Sequence, residues 1–248
     1  MPYKYSFEFR ALEPGERPLT KFGGQPAWIA GPEWPLSRTL GKPMRFVCQI
    51  ELPKSLFPAG SSGLPAAPGA STQSHLDLFP PGPGKVAYLF ITDDEALDSP
   101  TWEPFGGENA VILQPGGTTD VVTQPTATGP TLQREVDTGG QKELQDVELG
   151  INAWEGEDPA FLTHAERYDL PDQERDHFYE SCSRGNKIGG TPGFIQGDEF
   201  PDSHRKWQLL LQFDSADVPF QLDLGDSGVG YLFIDPDATE GRFLWQCT

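Results

Sequence analysis

Two lysines that precede matching glycine turns have the clearest spacing for chemistry in this sequence. Lys21 and Lys187 each stand two positions before a glycine pair, and a proline follows each pair. The turn positions are Gly23, Gly24, Pro26, Gly189, Gly190 and Pro192. A glycine pair permits backbone angles that are closed to other residues, and proline fixes the direction in which the chain leaves. Each lysine is therefore expected at a sharp change of chain direction.

Two glutamines accompany these turns, because Gln49 and Gln212 each lie within an apolar, strand-like run. A buried glutamine needs hydrogen-bond partners, which the backbone of a turn can supply. Lysine, turn and glutamine then form a structural corner in each half. In the alternative interpretation each half presents a small polar pocket, framed by Trp28 and Trp34 or by Phe194 and Phe200. The structural interpretation is favoured, since a duplicated scaffold repeats what the fold needs. The candidate binding residues are Lys21, Trp34, Gln49, Lys187, Phe200, Gln212 and Asp226.

Other patterns give little support to catalysis. The sequence has no Gly-x-Ser-x-Gly motif, and its four histidines include no pair spaced i, i+4. His164 and Glu166 have the His-x-Glu spacing of a deaminase, but the accompanying Pro-Cys-x-x-Cys is missing. The glycine-rich stretch 225–230 precedes a strand rather than a helix, so it is interpreted as a tight turn capped by Asp226. No catalytic residue, metal or cofactor is predicted, and an enzyme is disfavoured.

The composition predicts a β-rich fold and an acidic surface. Among 248 residues, 28 Gly and 25 Pro indicate many turns, while 16 Phe supply bulky core side chains. The net charge of −19 disfavours binding to nucleic acid or to an anionic membrane, which are themselves negative. That charge is compatible with a basic protein partner or with solubility alone, and solubility is the favoured interpretation.

Three cysteines, Cys48, Cys182 and Cys247, are odd in number and far apart in the sequence. Cys48 and Cys247 sit in apolar strand-like runs and are predicted to be buried free thiols in a reducing cytosol. The sequence has no apolar leader and no run of about 18 apolar residues. A cytoplasmic location without membrane insertion is the expectation.

The sequence pattern repeats beyond the two turns. Residues 88–91 and 231–234 are both Tyr-Leu-Phe-Ile, and Glu33-Trp34-Pro35 corresponds to Glu199-Phe200-Pro201. We expect a single α+β, mainly β domain over 1–248, with two pseudo-symmetric repeats packed face to face. The first repeat covers about 3–117 with a loop insertion at about 58–84, and the second covers about 187–248. A linker with two short helices fills about 118–186.

Helix signals are confined to that linker. Asp158 and Pro159 predict an N-cap and a first helical position for a helix over 159–169. Pro171 is expected to open a second helix, which extends to about Ser183. Short strands are predicted around Val121-Val122 and 147–149.

These motifs together resemble the YwqG-like family, a bacterial domain of unknown function. The resemblance rests on Lys21-Phe-Gly-Gly-Gln-Pro26, Phe46-Val-Cys-Gln-Ile50, Lys187-Ile-Gly-Gly-Thr-Pro192, the 225–234 stretch and the closing Trp245-Gln-Cys247. It implies an internally duplicated, mainly β fold with a few helices. It implies no activity, because the family itself has none assigned.

Two functions follow as hypotheses, beside a third interpretation in which the chain is a structural housekeeping protein with no dedicated site. The first is a cytosolic, non-enzymatic binding module, such as an immunity or antagonist protein that covers a basic partner, where opposite charge would speed association. The alternative is an enzyme or small-ligand binder that uses a cleft between the two repeats. The oligomeric state is left open.

Overall fold

The computed structural model describes residues 1–56, 84–93, 99–183 and 185–248. The predicted insertion at 58–84 lies outside these residues, apart from Gly84. The described chain is mainly β with two helices, as the sequence predicted. None of the described helices has the length and apolar character needed to cross a membrane.

Ten strands form one continuous antiparallel sheet. In chain order they are β1 (Tyr3–Ala11), β2 (Lys21–Gly23), β4 (Arg45–Glu51), β5 (Val86–Ile91), β6 (Asn109–Gln114), β10 (Glu148–Glu157), β11 (Asn186–Gly189), β12 (Gln208–Asp214), β13 (Val229–Ile234) and β14 (Gly241–Gln246). Four short strands form two small sheets, β3 (Trp34–Pro35) with β7 (Thr123–Gln124) and β8 (Gln133–Asp137) with β9 (Lys142–Asp146).

The large sheet has the order β14-β13-β12-β11-β1-β10-β2-β4-β5-β6. The two ends of the sheet lie close together. A Cβ added to Gly241 of β14 would be only 2.3 Å from Val111 Cγ1 of β6. The backbone N–H of Thr118 also donates to the carbonyl of Thr239 at 2.8 Å, which ties the two ends together. The sheet is therefore nearly closed.

The topology also shows how the two halves, predicted to pack face to face, are joined. The first half (β2, β4, β5 and β6) and the second half (β11 to β14) are joined edge to edge through the long central pair of β1 and β10. Their inner faces still meet across a shared core. Phe22 of β2 is fully buried there, with its ring centroid 6.5 Å from that of Phe213 in β12.

Alternation along the inner strands buries both faces of the sheet. In β13, Leu232 belongs to the central core, whereas Tyr231 and Phe233 belong to a second cluster on the opposite face. The same alternation in β5 separates Leu89 from Phe90. Successive side chains of a strand point to opposite faces, so strands that are apolar throughout require cover on both sides. The segments that follow each glycine turn supply the outer cover.

The segment predicted as a linker contains β10, the central strand of the sheet. Nine residue pairs of β10 and β1 are in register, from Tyr3 opposite Glu157 to Ala11 opposite Leu149. The sequence predicted a strand here only at 147–149. Strand β10 contains two glycines and three glutamates, and these residue types are depleted in strands. The strand predicted around Val121-Val122 is also displaced, because the observed strand β7 begins two residues later, at Thr123.

Two helices occupy the predicted region, but the first begins later than expected. Helix α1 (His164–Tyr168) is capped by Thr163, which forms a capping box with Glu166. The predicted cap, Asp158, is fully buried and pairs with lysines, so it is not available to start a helix. Helix α2 (Asp172–Cys182) ends within one residue of its predicted end.

Candidate functional site

The two predicted turns lie at the ends of the short strands β2 and β11. We define the first corner as residues 21–27 and the second corner as residues 187–193. Both glycine pairs adopt the left-handed backbone conformation that favours glycine. Their φ angles are 67° for Gly23, 64° for Gly24, 75° for Gly189 and 80° for Gly190. The chain thereby leaves the sheet after the three residues of β2 or the four residues of β11 and crosses to the outer face of the sheet.

Side chains from neighbouring strands hold the backbone of the first corner. Gln49 accepts a hydrogen bond from the N–H of Ala27 at 2.7 Å and donates to the carbonyl of Leu19 at 3.1 Å. The hydroxyl of Tyr88 donates to the carbonyl of Ala27 at 2.9 Å and accepts from the N–H of Ile29 at 3.2 Å. The amide of Gln49 is thus bonded on both its oxygen and its nitrogen.

The second corner is held by the corresponding residue types. Gln212 accepts from the N–H of Gly193 at 2.9 Å and donates to the carbonyl of Cys182 at 3.0 Å. The hydroxyl of Tyr231 donates to the carbonyl of Gly193, also at 2.9 Å. Burial raises the pKa of Tyr231, so its hydroxyl stays a donor at neutral pH.

A second glutamine in each half binds the segment that follows the corner. Gln114 donates to Glu33 Oε2 at 2.6 Å, and Gln246 donates to Glu199 Oε2 at 3.1 Å. Both glutamines are buried while the glutamates belong to outer segments. These bonds fasten each outer segment across its sheet.

The ammonium group of Lys187 is enclosed by oxygen atoms. Its Nζ donates to Asp158 Oδ2 at 2.7 Å, to the Cys182 carbonyl at 2.7 Å and to the Thr191 carbonyl at 2.6 Å. Asp158 also accepts from Lys4 at 2.6 Å. Burial lowers the pKa of Lys187, and the carboxylate of Asp158 opposes that shift. All three ammonium hydrogens therefore have partners, and one partner is the C-terminal end of α2, where a cation is favourable.

Lys21 has a more open environment in the first corner. Its Nζ donates to the carbonyl of Gln25 at 2.6 Å and to Glu148 Oε1. The side chain of Glu148 is 46% exposed, whereas that of Asp158 is fully buried. Each lysine therefore lies opposite the glutamine of the neighbouring strand, but the two differ in how completely they are enclosed.

A cleft of about 700 Å³ opens beside Lys21. Three segments line it, namely residues 15–18, residues 24–27 of the first corner and residues 146–148, together with Lys21 and Thr131. In the second corner, the end of α2 and Asp158 fill the space around the lysine. The cleft lies beside the first corner, whereas the sequence predicted a cleft between two repeats.

The other predicted binding residues lie apart from the lysines. Trp34 is fully buried in the outer cluster of the first half and donates from Nε1 to the carbonyl of Met44 at 2.8 Å. Phe200 packs against Phe194 with ring centroids 5.3 Å apart. Asp226 lies in an exposed turn, where its carboxylate accepts only from Ser227 Oγ at 3.4 Å among the bonds of the described chain.

The predicted capping role of Asp226 belongs instead to Asp223. The carboxylate of Asp223 accepts the N–H of Gly225 at 2.9 Å. Its position two residues before the glycine matches the usual reach of an Asp side chain to a turn.

The described residues hold no group of three or more His, Cys, Asp or Glu that could bind a metal ion. All three cysteines are free; Cys48 and Cys182 are buried, whereas Cys247 is half-buried rather than buried as predicted. Burial raises the pKa of Cys182 to about 11, which disfavours the nucleophilic thiolate form.

Sequence reasoning missed the tyrosines and the second pair of glutamines that hold the corners. The repeated Tyr-Leu-Phe-Ile strand and the matching Gln114 and Gln246 carried a usable signal. No sequence signal marked Glu148 and Asp158 as partners of the lysines. The two carboxylates are not at corresponding positions, because Glu148 is the first residue of β10 and Asp158 follows its last residue. Only the folded chain brings each carboxylate to its lysine.

Replacing Tyr231 with phenylalanine tests the support of the second corner. The change removes one hydroxyl and leaves the Gly193 carbonyl without that donor, so we expect the free energy of unfolding to fall by about 1–3 kcal/mol. Tyr179→Phe is the matched control: Tyr179 is half-buried and its hydroxyl makes no hydrogen bond within the described chain. Urea unfolding of both variants gives the comparison, and equal losses would contradict the role of Tyr231.

One protein family matches the sequence. Its description is a domain of unknown function (DUF1963), and the match covers residues 86–243, which is more than half of the chain. No curated protein matches the chain. The family description assigns no activity.

Proposed function

We propose that this chain, which belongs to the DUF1963 family, is a non-enzymatic binding module that docks a basic protein partner on α1 and α2. The observation that carries the proposal is an acidic surface on the two helices. Six exposed carboxylates lie there within fifteen residues, and Arg175 is the one accompanying Lys or Arg that is not buried. The six are Glu166, Asp169, Asp172, Glu174, Asp176 and Glu180.

An exposed aromatic side chain lies within this acidic surface. Tyr168, the last residue of α1, is 75% exposed. Tyrosine is enriched among the residues that dominate binding energy at protein interfaces. Its ring can also take a lysine or arginine cation over its face. Carboxylates around an exposed tyrosine therefore match a lysine- or arginine-rich surface better than an acidic or neutral one.

The acidic surface is firmly anchored to the body. Arg167 is 2% exposed, donates to the Leu162 carbonyl at 2.6 Å and pairs with Asp198 at 2.7 Å. Phe178 and Cys182 bury the inner side of α2. A surface that is held in place before binding loses less conformational freedom when a partner docks.

The β8–β9 hairpin is a less suitable docking surface for a basic partner. Its four carboxylates, Glu135, Asp137, Glu143 and Asp146, are interspersed with the exposed bases Arg134 and Lys142. Both surfaces hold an ion pair, Lys142 with Glu135 on the hairpin and Arg175 with Asp172 on α2. The hairpin, however, has two exposed bases with four carboxylates, whereas the helices have one base that is not buried with six. The mixed charges weaken its attraction for a cationic surface, which makes the hairpin a useful comparison site.

Site-specific photo-crosslinking tests the proposal. A photoreactive amino acid placed at position 168, in cells that express the chain, should crosslink a protein with a basic surface. The same amino acid at position 144 is the control, because Leu144 of β9 is 56% exposed but lies on the hairpin. Crosslinks that are absent at 168, or that are equally strong at 144, would contradict docking on the helices.

We also propose that the two halves are internal repeats and that the chain is YwqG-like. Support comes from paired side chains that make the same kinds of bond in each half. The pairs are Gln49 with Gln212, Tyr88 with Tyr231, and Gln114 with Gln246. A cytoplasmic location is part of the proposal, supported by three cysteines that are free thiols.

A further inference from the structure

The ammonium group of Lys21 retains a hydrogen-bond donor beside the cleft. An ammonium has three N–H donors, and the bonds of Lys21 within the described residues, to Gln25 and Glu148, use two of them. The Lys21 side chain is only 6% exposed. A buried cation with an unused donor is costly unless a further acceptor is available, and the cleft is where one can enter.

A buried hydroxyl that lines the same cleft also has no partner. Thr131 is 6% exposed, and its Oγ1 makes no hydrogen bond in the described structure. Buried polar groups are nearly always hydrogen-bonded, and the exceptions often mark sites that a ligand or water completes. Thr131 and Lys21 both line the cleft, so two unsatisfied donors lie at one site.

Arg17 adds a second cation to the cleft lining. Its side chain is exposed and forms no hydrogen bond or ion pair with any described residue. Guanidinium groups bind carboxylates and phosphates through paired N–H donors. Arg17, Lys21 and Thr131 therefore suit an anionic group with several oxygen atoms.

The remaining charges of the cleft argue against a simple anion. Its lining also contains the carboxylates of Glu16, Asp146 and Glu148, of which Glu16 pairs with Arg10 and Glu148 pairs with Lys21. A phosphate would meet the field of these carboxylates, whereas a molecule that carries both a carboxylate and an ammonium would match both signs. The cleft volume of about 700 Å³ falls within the range of small-molecule sites.

We propose that this cleft is a binding site for a small zwitterion, namely a free amino acid or a short peptide. Its carboxylate binds Arg17, Lys21 and Thr131, and its ammonium group faces Asp146 and Glu148. In the second corner, all three N–H donors of Lys187 already have partners within the chain. Among the described parts of the two halves, the site is therefore confined to the first corner. The inference is independent of the docking of a basic protein on the helices.

Calorimetric titration of the full chain with tripeptides Ala-Ala-Xaa, where Xaa is varied, tests the inference. We expect at least one tripeptide to bind saturably with one site per chain. Amidation of its C-terminus should weaken binding about tenfold or more, the loss of a charge-assisted bond. Acetylation of its N-terminus should weaken binding too. Failure of all the tripeptides, and of the free amino acids titrated in the same way, to bind at millimolar concentration would overturn the proposal, as would displacement of a bound one by inorganic phosphate.

Two variants tie that binding to the cleft. Arg17→Gln should weaken tripeptide binding about tenfold, while Arg175→Gln, the same change on α2, should leave the affinity unaltered. Thr131→Val should weaken binding without lowering the free energy of unfolding, because the hydroxyl that it removes has no partner in the folded chain. Equal affinities for Arg17→Gln and Arg175→Gln would place the peptide elsewhere and contradict the inference.

Discussion

Replacing Lys187 with methionine is expected to lower the free energy of unfolding by about 3–5 kcal/mol, the usual range for breaking a buried ion pair from one side. Methionine fills similar space but donates no hydrogen bond. The carboxylate of Asp158, which is fully buried, would keep only Lys4 as a cationic partner. The carbonyls of Cys182 and Thr191 would lose the same donor.

Lys21→Met is the matched control for that substitution. Its partner Glu148 is nearly half exposed, so water can replace the lost ammonium, and we expect a cost of about 1 kcal/mol. Urea unfolding at neutral pH measures both variants. If the Lys187→Met chain is already unfolded without urea while Lys21→Met is folded, that result would also show the larger loss of stability expected for Lys187→Met. Equal costs would show that the enclosure of Lys187 contributes nothing to stability.

Gly23→Ala is expected to cost about 2–5 kcal/mol for two separate reasons. The φ angle of Gly23 is 67°, which is strained for alanine. Its added Cβ would also lie 2.1 Å from the carbonyl oxygen of Val147. That oxygen accepts the N–H of Gly24 at 2.7 Å, so the backbone has little room to yield.

Gly41→Ala separates these two reasons. Gly41 has a φ angle of 62°, nearly that of Gly23, but a Cβ added there meets nothing within 4 Å. Its cost should be limited to the backbone strain, about 1–2 kcal/mol. Thermal or urea unfolding gives the difference between the two variants. If both alanines cost the same, the contact with Val147 does not constrain the first corner.

The sequence predicted those parts of the fold whose signals are local. The glycine turns, the apolar strands β4, β5, β12 and β13 and the second helix could all be located from residue types alone. These elements are buried on both faces or bounded by Gly and Pro, so composition identifies them. The predicted corner glutamines Gln49 and Gln212 indeed contact the turns.

The remaining features depend on contacts between distant segments. Strand β10 is polar and glycine-containing, and only its long pairing with β1 makes it a strand. Asp158 follows the local rule for a helix cap, yet two lysines from other strands occupy its carboxylate. The cleft beside Lys21 exists because residues 15–18 and 146–148 meet at the first corner, which no sequence spacing indicates.

The two proposed sites have different chemistry and different supports. The acidic surface of α1 and α2 offers exposed carboxylates around Tyr168, whereas the cleft beside Lys21 offers unsatisfied donors on buried or lining side chains. The end of α2 closes the second corner by accepting from Lys187 and Gln212. The helices of the proposed docking surface are thus fixed to the second corner, whereas the first corner is open to the cleft.

The most direct test of the proposed function is a variant in which the carboxylates of α2 are neutralised. Its affinity is measured for the protein that crosslinks at position 168. The variant combines Asp172→Asn, Glu174→Gln, Asp176→Asn and Glu180→Gln. The control removes the same charge elsewhere, by Glu135→Gln, Asp137→Asn, Glu143→Gln and Glu155→Gln. We predict an affinity about tenfold weaker or more for the α2 variant, with most of the loss in the association rate, and a change within about twofold for the control. Equal affinities for the two variants would contradict docking of a basic partner on these helices.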